Sequence, residues 1–234
     1  MAKARAKAGQ DRAWRSILAR LENVAEDLDD ALAAYDDLDA LATDASWLPR
    51  LRRLMVHGED FFVREAAMAP LIRLDGAKAL PLLLKAMALG YAEGHDNDGL
   101  ATYTVEAFEE HPVEGARLVR RLARSKSPKE RASAAWLWDF LREHLPLEPL
   151  LALARDRSDG VRSTAVAALT SWGEDERVEA ALLRAATDRS PHVRTSAASA
   201  LRKRPSKAAR AAFRALRNDP DASVRSYARA KFPD

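Results

Sequence analysis

Along most of this chain apolar residues recur with the 3.6-residue period of an amphipathic helix, and the two-residue alternation of a half-buried strand is absent. From Arg12 to Leu41 the residues Trp14, Leu18, Leu21, Val24, Leu28, Leu32, Tyr35, Leu38 and Leu41 keep that period, which predicts one long helix or a broken pair. Further on the helical segments come in twos. Asp175 to Ala186 carries Val178, Ala181, Leu182 and Ala185 at helical spacing, a turn follows at Asp188 to Pro191, and the period resumes from Val193 to Leu201. Ser190 is placed to cap that second helix, with Pro191 at its first position, where a missing N–H costs nothing. Lys207 to Arg217, the turn Asn218 to Asp221, and Val224 to Phe232 repeat the arrangement. Extended backward, it predicts pairs at about 47–75, 77–111, 113–144, 146–172, 175–203 and 205–232, with Gly76, Gly90, Gly115, Gly173, Pro112, Pro146 and Pro205 at or near the joints.

The pairs are copies of one unit. Val63-Arg64, Glu130-Arg131, Val161-Arg162, Val193-Arg194 and Val224-Arg225 are each followed four positions after the first member by Ala67, Ala134, Ala165, Ala197 and Ala228, and eight positions after it by Leu71, Trp138, Leu169, Leu201 and Phe232. The last four copies are spaced by 31, 32 and 31 residues, and the 67 residues between the first two leave room for a degenerate copy counted from Asn97, with Ala101 and Val105 in the alanine and large-apolar slots. A fixed period of this size is the signature of a solenoid, in which each unit buries its apolar face against its neighbours. In the last three copies an aspartate stands five positions before the valine, as Asp156, Asp188 and Asp219. This pattern resembles HEAT repeats, strongly over residues 146–232, well over 47–75 and 113–144, and weakly over 77–111, where Asn97-Asp98 replace Val-Arg.

The resemblance implies an all-α fold: a right-handed α-solenoid of about six antiparallel helix pairs, first helices on the convex side and second helices lining the concave side. Residues 47–234 would form the array and 12–46 an N-terminal helical cap, whose acidic outer face suits an end exposed to water. It also implies that Asp156, Asp188 and Asp219, with Arg64, Arg131, Arg162, Arg194 and Arg225, bond between neighbouring units. The alternative for the arginines is a phosphate-binding row.

Composition narrows the setting. The chain has 234 residues, of which 47% are hydrophobic, ample for a continuous core, and no cysteine, so disulfides and thiolate metal sites are excluded. No apolar run approaches the roughly 18 residues of a membrane span. Residues 1–11 are basic without an apolar segment behind them and are expected to be a disordered tail rather than a secretory signal; the expected location is the cytoplasm. Net charge is only +3, yet nine acids and no Lys or Arg lie between Glu22 and Asp44, against ten bases and two acids between Arg202 and Lys231. Such asymmetry accompanies nucleic-acid binding, and also the solvated faces of long helices.

No catalytic constellation emerges. His57, His95, His111, His144 and His192 fall in joints or at helix ends and form no i, i+4 ligand pair. The loop Gly94 to Gly99, with His95, Asp96 and Asp98, has a calcium-loop flavour, but placing Gly99 at the sixth position of such a loop puts Gly94 and Val105 where carboxylates are required. Asp96, Asn97 and Asp98 then read as turn and capping residues. Deoxyhypusine hydroxylases have similar repeats but hold iron through His-Glu pairs, and this chain has no His-Glu dipeptide. DNA-alkylation-repair glycosylases are similar solenoids using tryptophans and an aspartate; only Trp136-Leu137-Trp138-Asp139 is similar here, and the family's spacing is not reproduced. No enzyme activity, cofactor or metal is expected.

The repeat register gives the sharpest expectation. Counting the valine slot as zero, positions +2, +6, +9 and +13 face away from the core. They read Gly99, Tyr103, Glu106, Glu110 in one unit and Ala132, Trp136, Asp139, Glu143 in the next, with Phe140 alongside. Both run small, aromatic, acid, acid. Aromatic residues on a solvent face are typical interface anchors, and carboxylates around them suit Lys or Arg of a basic protein. A rotation by a residue or two would instead pack them into the core. The expectation is a non-enzymatic scaffold binding a basic protein on its concave middle, in the manner of an adaptor, an assembly factor or an antitoxin or immunity-type inhibitor. The alternative is a nucleic-acid-binding solenoid, DNA-alkylation-repair-like, using the basic C-terminal units through Arg210, Arg214 and Arg217.

Overall fold

The structure, a computed structural model, describes residues 1–24, 26–58 and 60–230. Among them the regular structure is helical, without strands. The chain is an all-α solenoid that divides into two compact units, Met1–Glu114 and Gly115–Asp234. Phe232, expected in the last large-apolar slot, lies outside the described residues.

In the first unit α1 (Ala2–Glu22) packs against α2 (Leu28–Leu41). The predicted long segment is thus a broken pair, and α2 restarts at Asp27, whose carboxylate accepts the Asp30 N–H at 3.0 Å. α1 begins at Ala2 and takes in the residues expected as a disordered tail; Ala, Lys, Arg and Gln dominate that stretch, all strong helix formers, and Asp11 is tied to Arg50. Arg20 pairs with Asp30 at 2.8 Å and with Asp37 at 2.5 Å, so part of the acidic run is neutralised within the cap. Next come α3 (Leu48–His57), α4 (Phe61–Ala66), α5 (Met68–Asp75), α6 (Leu80–Glu93) and α7 (Asp98–Glu110). The second helix of the 47–75 pair is therefore interrupted at Ala67. Pro70 lacks the N–H that would bond the Ala66 carbonyl, and its ring crowds that oxygen. Leu21, Leu38, Met55, Leu71, Leu83 and Phe108 form the fully buried interior.

The second unit contains α8 (Pro112–Leu122, which starts just before the division), α9 (Pro128–Phe140), α10 (Leu147–Leu153), α11 (Asp159–Ala168), α12 (Glu176–Ala185), α13 (Pro191–Arg202), α14 (Lys207–Leu216) and α15 (Ala222–Arg229). The second helices stack in sequence, α9 on α11 on α13 on α15, and first helices pack beside them, α12 on α14. Val161, Val193 and Val224 are fully buried, as are Ala165, Ala197, Leu169 and Trp138, so the repeated slots form the core. Gly90 and Gly115, expected at or near the joints, lie in the last turn of α6 and the first turn of α8. The turn after α6 is made instead at Gly94, whose φ of 91° is left-handed and free of penalty only for glycine.

Candidate protein-binding surface

α9 is fixed at its N-terminus and along one face. Ser127 accepts the Glu130 N–H at its N-terminus and Pro128 occupies the first turn, while Ala134, Ala135, Leu137 and Trp138 are buried on one side. Trp136 and Trp138, two residues apart, point about 200° from one another on the helix. Trp138 is fully buried and donates its indole N–H to the Pro146 carbonyl at 3.0 Å. Trp136 is only half-buried and meets Phe140, one turn on, edge to face with ring centroids 5.6 Å apart. Phe140 is 38% exposed, Asp139 beside it is half-buried, and Glu143 is exposed. The outward register thus keeps its aromatic and acidic groups at the surface of this helix.

On α7, in the other unit, Tyr103 is half-buried and Glu106 and Glu110 are exposed. Burial first, then the charges of Glu65 and Glu106, holds the Tyr103 phenol above its ordinary value. Glu65 on α4 was not singled out by sequence reasoning, nor was Tyr35 on α2, which donates its O–H to Glu65 at 2.8 Å. Burial, reinforced by that hydrogen bond, pushes Tyr35 far above the usual range for a phenol, so it remains a donor at any physiological pH. The same carboxylate accounts for Gly99: a Cβ on it would stand 1.6 Å from a Glu65 oxygen. A small residue in the outward register marks another side chain's approach.

The loop between α6 and α7 is absorbed by structure. Asp96 accepts the Asp98 N–H at 3.3 Å, a turn contact, and His95 stacks on Phe61 with ring centroids 4.2 Å apart. Asn97 does not cap α7. Its φ of 63° turns the side chain inward, fully buried, where its amide donates to the Met87 carbonyl at 3.0 Å. Gly90 makes this possible, since a Cβ there would stand 2.0 Å from the Asn97 side-chain oxygen. Ser190 likewise occupies the N-cap position of α13, yet its hydroxyl bonds Asp159 of the preceding repeat at 3.1 Å. Among the described residues no group of three His, Asp or Glu is placed to hold a metal ion.

The repeated arginines are spent on architecture. Arg131 grips Asp156 through two bonds of 2.7 and 2.9 Å, Arg162 grips Asp188 at 2.9 and 2.8 Å, and Arg194 grips Asp219 at 2.8 and 2.7 Å. The third side of each fork closes its own turn: Arg131 donates to the Ser125 carbonyl, Arg162 to Asp156, Arg194 to Asp188 and Arg225 to Asp219. Each of the three aspartates also accepts the backbone N–H two residues on, from Ser158, Ser190 or Asp221. Bidentate, charge-assisted geometry of this kind is the strongest that arginine offers. A phosphate-binding row of these arginines is therefore not what the fold presents. Arg210 and Arg214 of α14, with Arg217 at its end, have exposed side chains.

The sequence profile of HEAT repeats matches residues 147–230, the segment that carries two of these three clasps entire and the aspartate of the other. Residues 147–230 are HEAT repeats. No curated protein matches the chain. Within the HEAT repeats one further arginine escaped sequence reasoning: Arg204, buried at the joint before α14, donates to the carbonyls of Gly173 and Leu169, which follow α11 in the repeat before. It meets carbonyls at the negative end of a helix dipole, which no periodic apolar pattern signals. Among the described residues no helix is long and apolar enough to cross a membrane.

Proposed function

We propose that this protein is a non-enzymatic helical-repeat scaffold that binds a basic protein partner through the outward face of α9, in the manner of an adaptor, an assembly factor or an inhibitor of a basic protein. The observation that carries the reading is the Trp136–Phe140 pair, two large rings in edge-to-face contact that the fold leaves partly in solvent, beside the carboxylates of Asp139 and Glu143. A ring that could have been buried, as Trp138 is one helical face away, is available instead to a Lys or Arg side chain whose charge then meets Asp139 or Glu143. Tyr103, Glu106 and Glu110 on α7 offer the same chemistry on the other unit.

The test is binding of the full chain to an immobilised panel of lysine- and arginine-rich peptides, with acidic and neutral panels as controls. Trp136→Ala should weaken the best basic ligand by about 2 kcal/mol, roughly thirtyfold, with the helical circular dichroism unchanged. Equal binding by the wild type and by the Trp136→Ala, Phe140→Ala double variant would sink the assignment. Salt-sensitive binding of an oligonucleotide, lost on changing Arg210, Arg214 and Arg217 to Glu, would assign the function to α14 and to nucleic acid.

A further inference from the structure

On the first helices of the HEAT repeats, α10 and α12 frame a groove of about 580 Å³ lined by Glu148, Leu151, Ala152, Arg155, Arg177, Ala180, Ala181 and Arg184. Its two ends differ. At one, Arg177 is neutralised by Glu148 and by Asp175, each at 2.7 Å. At the other, Arg155, just beyond α10, and Arg184, in the last turn of α12, face the same space, and neither forms an ion pair among the described residues. Between the ends the floor is aliphatic.

Two like charges turned toward one groove repel each other. The consequence is visible on Arg184: partial burial first, and the Arg155 charge second, holds its guanidinium below the ordinary value. Elsewhere in this unit the buried Arg131 and Arg162 and the half-buried Arg194 each have a carboxylate in their fork, whereas Arg155 and Arg184 turn exposed guanidiniums toward one groove with no carboxylate between them.

We infer that Arg155 and Arg184 form a binding site for a phosphomonoester, the dianion sitting between the two guanidiniums and the group that carries it lying along Leu151, Ala152, Ala180 and Ala181. Two guanidiniums match the charge of a phosphomonoester and supply planar donor pairs to its oxygens. The phosphodiester backbone of a nucleic acid, with one charge per phosphate, calls for a longer row of cations than this groove contains. The site lies on two first helices, apart from the α9 surface, and stands independently of the function proposed for that surface.

The experiment measures thermal unfolding and phosphorus NMR of the full chain with inorganic phosphate, at ionic strength matched with chloride. Phosphate should raise the midpoint where chloride does not, and should bind at least tenfold more weakly to Arg155→Gln and to Arg184→Gln. Arg177→Gln, which removes an arginine already paired, should bind as the wild type does. Without phosphate the Arg184→Gln chain should melt no lower than the wild type, because the change relieves a repulsion, so loss of binding and loss of fold are separable. A phosphoserine peptide binding more tightly than inorganic phosphate, with the same dependence on both arginines, places the phosphate on a protein; a peptide no tighter than phosphate places it on a small molecule. Either result supports the site. Equal stabilisation of wild type and both variants, or a response reproduced by chloride, would overturn it, as would an oligonucleotide that uses these two arginines while phosphomonoesters do not.

Discussion

The two units solve one problem in different ways. Each buries an arginine from the second member of the repeated dipeptide, Arg64 in the first and Arg131 and Arg162 in the second. In the second unit the partner is an aspartate in the following turn, which also accepts a backbone N–H of that turn, so one carboxylate both joins neighbouring hairpins and shapes the bend between helices. In the first unit the corresponding slots five positions before Val63 and Asn97 hold Gly58 and Ala92. Arg64 donates to the Gly58 carbonyl at 2.7 Å and reaches Glu93, the last residue of α6, while its Nε finds no partner. The bend is then built by other means, from left-handed Gly94 and the inward amide of Asn97 over Gly90. Regularity in a repeat array thus comes from one short acid doing two tasks; where it is missing, each joint is assembled separately.

The largest expected effect tests the clasp. Arg162→Ala leaves the Asp188 carboxylate and the Asp156 and Arg157 carbonyls without their donor in a region where the arginine is 6% exposed, and should cost about 3 kcal/mol or more in urea unfolding. A loss no greater than that of an exposed substitution such as Arg189→Ala would show that the ladder is ornamental. The next effect contrasts glycines. Gly90→Ala drives a methyl group into the Asn97 side chain and should destabilise the first unit by about 1–3 kcal/mol, with hydrogen-exchange protection lost from α6 and α7. Gly160→Ala on α11, whose nearest neighbour would be 3.9 Å away, should instead be neutral or stabilise by up to about 1 kcal/mol.

The smallest effect is acidity. The Arg131 fork holds Asp156 below its ordinary value against burial, Arg194 does the same for Asp219, and at Asp188 burial pulls upward but the Arg162 fork and the Ser190 N–H outweigh it. Depressed carboxylates contribute stability that is complete above the unfolded value, about 3.9, and disappears as pH falls through the lower folded values. The thermal midpoint should be flat from about pH 8 to 5 and drop only below about pH 4, less steeply in Asp188→Asn. A decline beginning near pH 6 would point to histidines instead.

What was legible in the sequence follows the same division. Val161, Ala165 and Leu169 and their equivalents announce buried slots because a helix repeats its faces, and the resemblance to HEAT repeats implied the clasp made by the aspartate five positions earlier. The half-open position of Trp136 was legible from register alone. Glu65, Tyr35 and Arg204 were not, because their partners lie on other helices at separations set by tertiary packing: 30 residues for Tyr35 with Glu65, and 31 and 35 for Arg204 with its carbonyls. The role of Asn97 was misread as a cap because a left-handed backbone sends an asparagine side chain inward, and nothing local in the sequence distinguishes the two orientations.

Each clasp in the second unit points the same way along the chain: the guanidinium precedes its carboxylate by 25 or 26 residues. During synthesis the cation of every clasp therefore leaves the ribosome first. A hairpin that folded before the next bend emerged would hold out an open fork to it, so the order of the clasps favours growth from the N-terminal side, each new bend received by a donor already in place.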